Sequence, residues 1–299
     1  MRRRDLYFAL VVFFSSLACY APLRTLLKLS IESETDSYVM LIPLLSIILI
    51  YLERKRIFVC SEYRLGKGTL VLLAGVGGLI AGGKHLFPID KANSLSLLIL
   101  SLVLVWIGGF IGCYGTRAFK LAAFPLLFLF LMIPIPDFLL DKIVFALQTW
   151  SADMTYVFFR LLGVPVLRQA FVFSLPGVNI QVARQCSGIR SSLALFIIGL
   201  LACHFFLKSG WRKLALLLMI VPVAVVKNAI RIATISLLSV YVNRGFLTGS
   251  LHHRGGVLFG MLALVILLPA LWLLQRSEIR SPAGGRAIQP AAPEHSVKI

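Results

Sequence analysis

Charged side chains are scarce in this chain. Asp, Glu, Lys and Arg make up only 14% of its 299 residues, whereas an ordinary soluble domain carries about a quarter. Acids are scarcest, with 12 against 30 Lys and Arg, for a formal net charge of +18. Such an excess could mark a nucleic-acid binder, but the bases are scattered between apolar runs and gathered on no single face. Lipid headgroups and membrane topology account for them better. The five cysteines form no CxxC or Cys/His spacing of the zinc type, so neither a metal nor a cofactor is implied. The first apolar run follows Met1-Arg2-Arg3-Arg4 without a small-residue cleavage site, which makes it a first span and not a removed signal peptide. No Ser/His/Asp set with a plausible acid stands out. What is abundant is apolar surface: hydrophobic residues reach 59%, and mean hydropathy is +0.91.

This composition predicts an all-α polytopic membrane protein. A span needs about 20 apolar residues, fewer where the ends snorkel. Eight runs qualify: 6–23, 37–52, 69–83, 94–114, 119–136, 191–207, 214–242 and 255–275. Residues 1–275 read as one membrane domain, and the Pro/Ala/Gly-rich segment 276–299 reads as a disordered cytoplasmic tail. With the N-terminus in the cytoplasm, alternation collects the basic groups of Arg2–Arg4, Arg54–Arg56, Arg117, Lys120, Lys208, Arg212, Lys213 and the tail on the inner side. Glu32, Glu34, Asp36 and Asp90 fall outside, as the positive-inside rule favours. The expected location is a plasma membrane, multi-pass, with both termini cytoplasmic.

This topology leaves 137–190 on the outer side. Ile133-Pro134-Ile135-Pro136 ends a helix, because proline cannot continue one, and Asp137 is placed to cap the next. Residues 137–162 mix apolar positions with Asp141, Lys142, Gln148 and Asp153, as in an amphipathic helix at the interface. Val, Phe and Ile then cluster around Leu175-Pro176-Gly177, which predicts a β-hairpin with strands near 165–174 and 179–184.

The hairpin leads into Arg184-Gln185-Cys186-Ser187-Gly188-Ile189-Arg190. Cys186 alone among the cysteines sits in a polar, cationic, membrane-edge setting; Cys19, Cys113 and Cys203 lie within apolar runs and Cys60 in a basic loop. Cations and a helix N-terminus favour a thiolate, the form that attacks carbonyls. Arg231 interrupts an apolar run, at a cost of about 2.5–3.5 kcal/mol on the insertion scale, and such an arginine faces a polar cavity unless it snorkels. Asn228 and Lys227 share its helix face. His252 and His253 are expected in a short outer loop and offer a base near neutrality. His204, beside Cys203, reads as packed. Cys186, Arg231 and the histidine pair thus fall on one predicted face, although the topology was set without them.

Cys186-Ser187-Gly188-Ile189-Arg190, then Asn228-x-x-Arg231-Ile232, then a histidine ahead of Gly256, resembles the exosortase/archaeosortase family, most closely over the catalytic core at about 118–275. The resemblance implies a polytopic cysteine transpeptidase that cleaves the C-terminal sorting signals of exported client proteins. Such a signal is typically a Pro-Glu-Pro motif, a transmembrane helix and a basic tail. It further implies Cys186 as nucleophile, Arg231 as oxyanion or carbonyl partner, and His252, with His253 as alternative, as acid/base. Arg184, Arg190, Ser187 and Asn228 are the candidate substrate-binding residues. The partners implied are the client, the bilayer and an acceptor such as an exopolysaccharide or a lipid. The residues also admit a hydrolase with water as acceptor, an anion transporter, or an exopolysaccharide-assembly protein without thiol chemistry. Val257 departs from the family's aromatic after the glycine.

Overall fold

A backbone inside lipid must satisfy its own polar groups, and this chain does so almost wholly with helices. The computed structural model describes residues 3–32, 37–60, 65–83, 91–243, 245 and 250–280; side chains at 60, 65, 67, 91, 92, 185, 250–257 and 280 fall outside that description. The helices are α1 (Arg3–Ala18), α2 (Tyr20–Glu32), α3 (Leu41–Ile57), α4 (Leu65–Gly83), α5 (Lys91–Leu121), α6 (Ala123–Phe128), α7 (Asp137–Leu161), α8 (Ile189–Phe206), α9 (Gly210–Tyr241) and α10 (Ser250–Arg280).

Four of the described helical segments are long and apolar enough to cross a membrane: Asn93–Leu121, Ile189–Phe206, Gly210–Tyr241 and Leu258–Ile279. Two bent pairs raise the number to six if each is one span. α1 and α2 meet at 76°, where Pro22 has no N–H to offer the Ala18 carbonyl. Ala123–Met132 and α7 meet at 91° across Pro134 and Pro136. The run 119–136 is therefore no straight span: its middle is the short α6 with a 3-10 turn, Leu129–Met132. α4 and α5 pack closely because a Cβ on Gly75 would lie 2.7 Å from the Val105 nitrogen, and one on Gly108 2.5 Å from that of Leu72.

α7 falls where an amphipathic helix was expected, with two differences. Pro136, not Asp137, is the N-cap, and Asp137 lies in the first turn, where a carboxylate still favours the helix dipole. The inward face of α7 is also partly polar: Gln148, Ser151 and Thr155 are all buried. Its outer face exposes Phe138, Phe145 and Trp150, suited to lipid contact.

The expected hairpin is a three-stranded antiparallel sheet, β1 (Leu167–Gln169), β2 (Val172–Leu175) and β3 (Val178–Gln181), in the order β1-β2-β3. An unforeseen turn at Ala170, with φ +50°, splits the first predicted strand in two. The Pro176-Gly177 turn joins β2 to β3 as expected, with Leu175 opposite Val178. α7 anchors the sheet at three points. Gln148 Nε2 donates to the Val182 carbonyl at 2.6 Å. Arg168 pairs with Asp153 at 2.6 Å. The Phe159 and Phe173 rings meet edge to face, with centroids 5.6 Å apart. Ile180, Val182, Ile232 and Ala233 complete this core and tie the sheet to α9.

On the far side of the bundle, Glu278 of α10 closes the α8–α9 turn. Its carboxylate accepts from the Lys208 and Ser209 N–H groups at 3.0 and 2.6 Å and pairs with Arg212 at 3.4 Å. Residues 276–280, read from sequence as the start of the tail, thus belong to α10; 281–299 lie outside the described residues. His204 is packed as expected: its Nε2 lies 2.6 Å from Glu53 Oε1, and its ring stacks on Phe124 at 3.9 Å.

Candidate active site

β3 delivers the chain to a 3-10 turn, Arg184–Ser187, which ends at Gly188 and passes directly into α8. The turn closes through the Cys186 N–H on the Ala183 carbonyl at 2.8 Å. Gly188 has φ +76°, a conformation side-chain-bearing residues rarely adopt. A Cβ there would also lie 2.8 Å from Asn228 Oδ1. Glycine is thus required twice, by the backbone and by the close approach of α9. Ser191 and Ser192 hydroxyls donate to the Gly188 carbonyl at 3.0 and 2.8 Å and tighten the first turn of α8.

Cys186 is a free, partly exposed thiol at this strand-to-helix turn. It lines a cavity of about 230 Å³ together with Asn179, Ile180, Gln181, Val182, Arg231, Ile232, Ile235 and Ser236. The structure therefore brings Cys186 and Arg231 to one cavity, from positions 45 residues apart in the chain. This cavity holds a thiol, a cation and an apolar wall. Such a set suits attack on a carbonyl whose oxygen gains charge.

The other predicted site residues fall elsewhere. Asn228, 1% exposed, does not face the cavity. Its Nδ2 donates to the Cys186 carbonyl at 2.8 Å and to Ser151 Oγ at 3.1 Å, so it braces the turn that carries Cys186. Ser187 is buried, and its hydroxyl has no partner among the described residues. Arg184 pairs with Asp141 of α7 on the exposed rim, and Arg190 is exposed in the first turn of α8. His252 and His253 belong to the start of α10, not to a loop: the helix begins at Ser250. Their side chains lie outside the described residues.

Three features were missed from sequence. Gln148, Ser151 and Thr155 follow i, i+3, i+7, a buried polar stripe of which the sequence reading names only Gln148, as part of an interfacial helix. Lys227, 2% exposed, reaches Ser191 at the head of α8; its place beside Arg231 was noted, its partner was not. Ser236 lines the cavity and has a buried hydroxyl with no partner among the described residues, and nothing in the apolar run around it marks it out. Among the described residues no cluster of three or more His, Cys, Asp or Glu is poised to hold a metal.

A family model described as transmembrane exosortase matches residues 30–269. No match was found among curated proteins or solved structures.

Proposed function

We propose a cysteine acyl-transfer function for this chain, which belongs to the transmembrane exosortase family. It cleaves C-terminal sorting signals of exported proteins and passes the released acyl group to an acceptor through a thioester on Cys186. The observation that carries this reading is the shared cavity of Cys186 and Arg231.

The Cys186 thiol gives its proton to His252, with His253 as the alternative. The sulfur then attacks a client peptide carbonyl, and a C–S bond forms. Arg231 donates to the resulting oxyanion; a fixed charged donor in a dry site contributes several kcal/mol, about 2.7–4 for one such donor. The C–N bond breaks as the histidine returns its proton to the leaving amine. An acceptor nucleophile, an exopolysaccharide or lipid hydroxyl or amine, then attacks the thioester and gives its own proton to the histidine. The thiolate leaves and the cycle closes.

The same reading puts the cavity on the extracytoplasmic side of a plasma membrane, with both termini cytoplasmic. The basic groups at the end of α3, Arg54–Arg56, and around the α8–α9 turn, Lys208, Arg212 and Lys213, support that orientation. Eight crossings result when α3 and α4 cross as well. At 1.5 Å per residue α3 spans about 26 Å, just short of a typical hydrocarbon core, and its terminal Arg54, Lys55 and Arg56 can snorkel.

The test is a secreted reporter that ends in a Pro-Glu-Pro motif, a transmembrane helix and a basic tail, expressed with this chain. Wild type is expected to shorten the reporter, and Cys186→Ala to leave it full length while still inserting in the membrane. Equal processing by both would overturn the reading.

A further inference from the structure

The cavity is built from two different kinds of lining. From α9 it takes Arg231, Ile232, Ile235 and Ser236, positions i, i+1, i+4 and i+5, which is one face of a helix. From β3 and the residue that follows it the cavity takes Asn179, Ile180, Gln181 and Val182, four residues in succession. Side chains of a strand alternate between faces, so a cavity lying on one face would touch every second residue. Contact with four in a row places the cavity along the edge of β3.

That edge is open. β3 is the outermost strand, and among the described residues no other strand pairs with it. Its hydrogen-bond directions follow from the register. Val182 N–H donates to the Phe171 carbonyl at 2.8 Å, toward β2. Backbone groups of an antiparallel strand alternate in direction, so Ile180 and Val178 also turn toward β2. Asn179 and Gln181 therefore turn their N–H and C=O groups away from β2, into the cavity. An unpaired row of this kind is a template for another extended chain.

Two further observations point to a ligand there. Ser236, 1% exposed, is among the residues that line the cavity, and its buried hydroxyl has no partner among the described residues. Among the described residues the lining holds a cation, Arg231, and no carboxylate, so it favours backbone carbonyls or an acidic side chain over a basic segment.

We propose that the client segment at the scissile bond binds as an added strand on the β3 edge, pairing with the backbone of Asn179 and Gln181 between the sheet and α9. This deepens the acyl-transfer reading and rests on it. The four edge residues span about 13 Å at 3.3 Å per residue, room for three to four residues of an extended peptide. Backbone pairing supplies affinity and sets the register, while Ser236 and the apolar wall of Ile232 and Ile235 meet alternate side chains. Because β3 runs straight into the Arg184–Ser187 turn, a peptide held in that register presents a carbonyl toward Cys186 and Arg231.

Disulfide trapping with the reporter described above tests this. In a Cys186→Ala background, Gln181→Cys is combined with single cysteines walked along the reporter segment ahead of its transmembrane helix. The same chain without Gln181→Cys serves as control. Trapping is expected at every second reporter position with one position trapped best, and Asn179→Cys is expected to move that best position by two residues. Trapping without alternation, no trapping, or joining of two copies of this chain through Gln181→Cys would overturn the proposal. Gln181→Pro removes the outward N–H at a position where an edge strand tolerates proline. It is expected to slow reporter cleavage by about tenfold, a larger loss than Gln181→Ala causes, with maleimide labelling of Cys186 unchanged in both. Equal losses in the two variants would assign the effect to the side chain and overturn the backbone pairing. Cleavage by wild type without alternate trapping sinks the added strand and leaves the acyl-transfer reading intact; alternate trapping without cleavage does the reverse.

Discussion

Asn228 Nδ2 donates to the carbonyl of Cys186 across 2.8 Å, from a helix 42 residues further along the chain. The same nitrogen reaches Ser151 Oγ at 3.1 Å. One amide on α9 therefore ties the Cys186 turn to α7, and Arg231 follows it by three residues on the same helix. The spacing Asn-x-x-Arg joins a brace for the sulfur's backbone to a charge that lines the sulfur's cavity.

Asn228→Ala removes this brace and leaves a buried carbonyl and hydroxyl without their donor. Buried polar groups so orphaned cost about 1–3 kcal/mol. A lower thermal midpoint in detergent is expected, together with a fall in reporter cleavage. Asn228→Asp offers no Nδ2 donor and is expected to fail similarly. Unchanged cleavage by Asn228→Ala would show that the contact is incidental.

Gly188→Ala meets both a left-handed backbone and the Asn228 side chain. Strain at such a position costs about 1–3 kcal/mol. The two sites touch, so their effects are expected to be non-additive, with a coupling of about 0.5–3 kcal/mol in a double-mutant cycle with Asn228→Ala. Strict additivity in thermal or denaturant unfolding would contradict the close approach at 2.8 Å.

Arg231→Ala is expected to lower the cleavage rate by about 100- to 1,000-fold, the usual loss for one oxyanion donor. Arg231→Lys keeps the charge but not the planar fork, so it should recover only part of that loss. Maleimide labelling of Cys186 in both variants checks that the turn remains formed. A normal rate in Arg231→Ala would remove the arginine from the chemistry.

Glu278→Ala tests the opposite end of the bundle. It frees the Lys208 and Ser209 N–H groups and leaves Arg212 without its carboxylate. A lower melting temperature with a normal cleavage rate is expected, since the clamp lies far along the helices from the cavity. A changed rate at full stability would reveal coupling between the two ends.

The order of helices and the meeting of Cys186 with Arg231 were legible because each leaves a local mark: proline pairs break helices, and an arginine in an apolar run needs a polar surrounding. Other features leave no such mark. Gln148, Ser151 and Thr155 look the same in sequence whether a helix faces headgroups or a buried amide. The turn at Ala170 breaks a strand with a residue that seldom takes positive φ, so no glycine or asparagine announces it. The bend between α1 and α2 falls at Cys19, three residues before Pro22, inside an unbroken apolar run. Ser236 is one small polar residue among aliphatics, and only the tertiary fold shows that it lines the same cavity as the thiol.

The most direct measurement is the mass of the peptide that carries Cys186 after rapid acid quench of the working protein with its reporter. The account predicts an added reporter fragment on that cysteine, released by hydroxylamine and absent in Cys186→Ala. A reporter processed at full rate with no adduct on Cys186, or with the adduct on another residue, would contradict it.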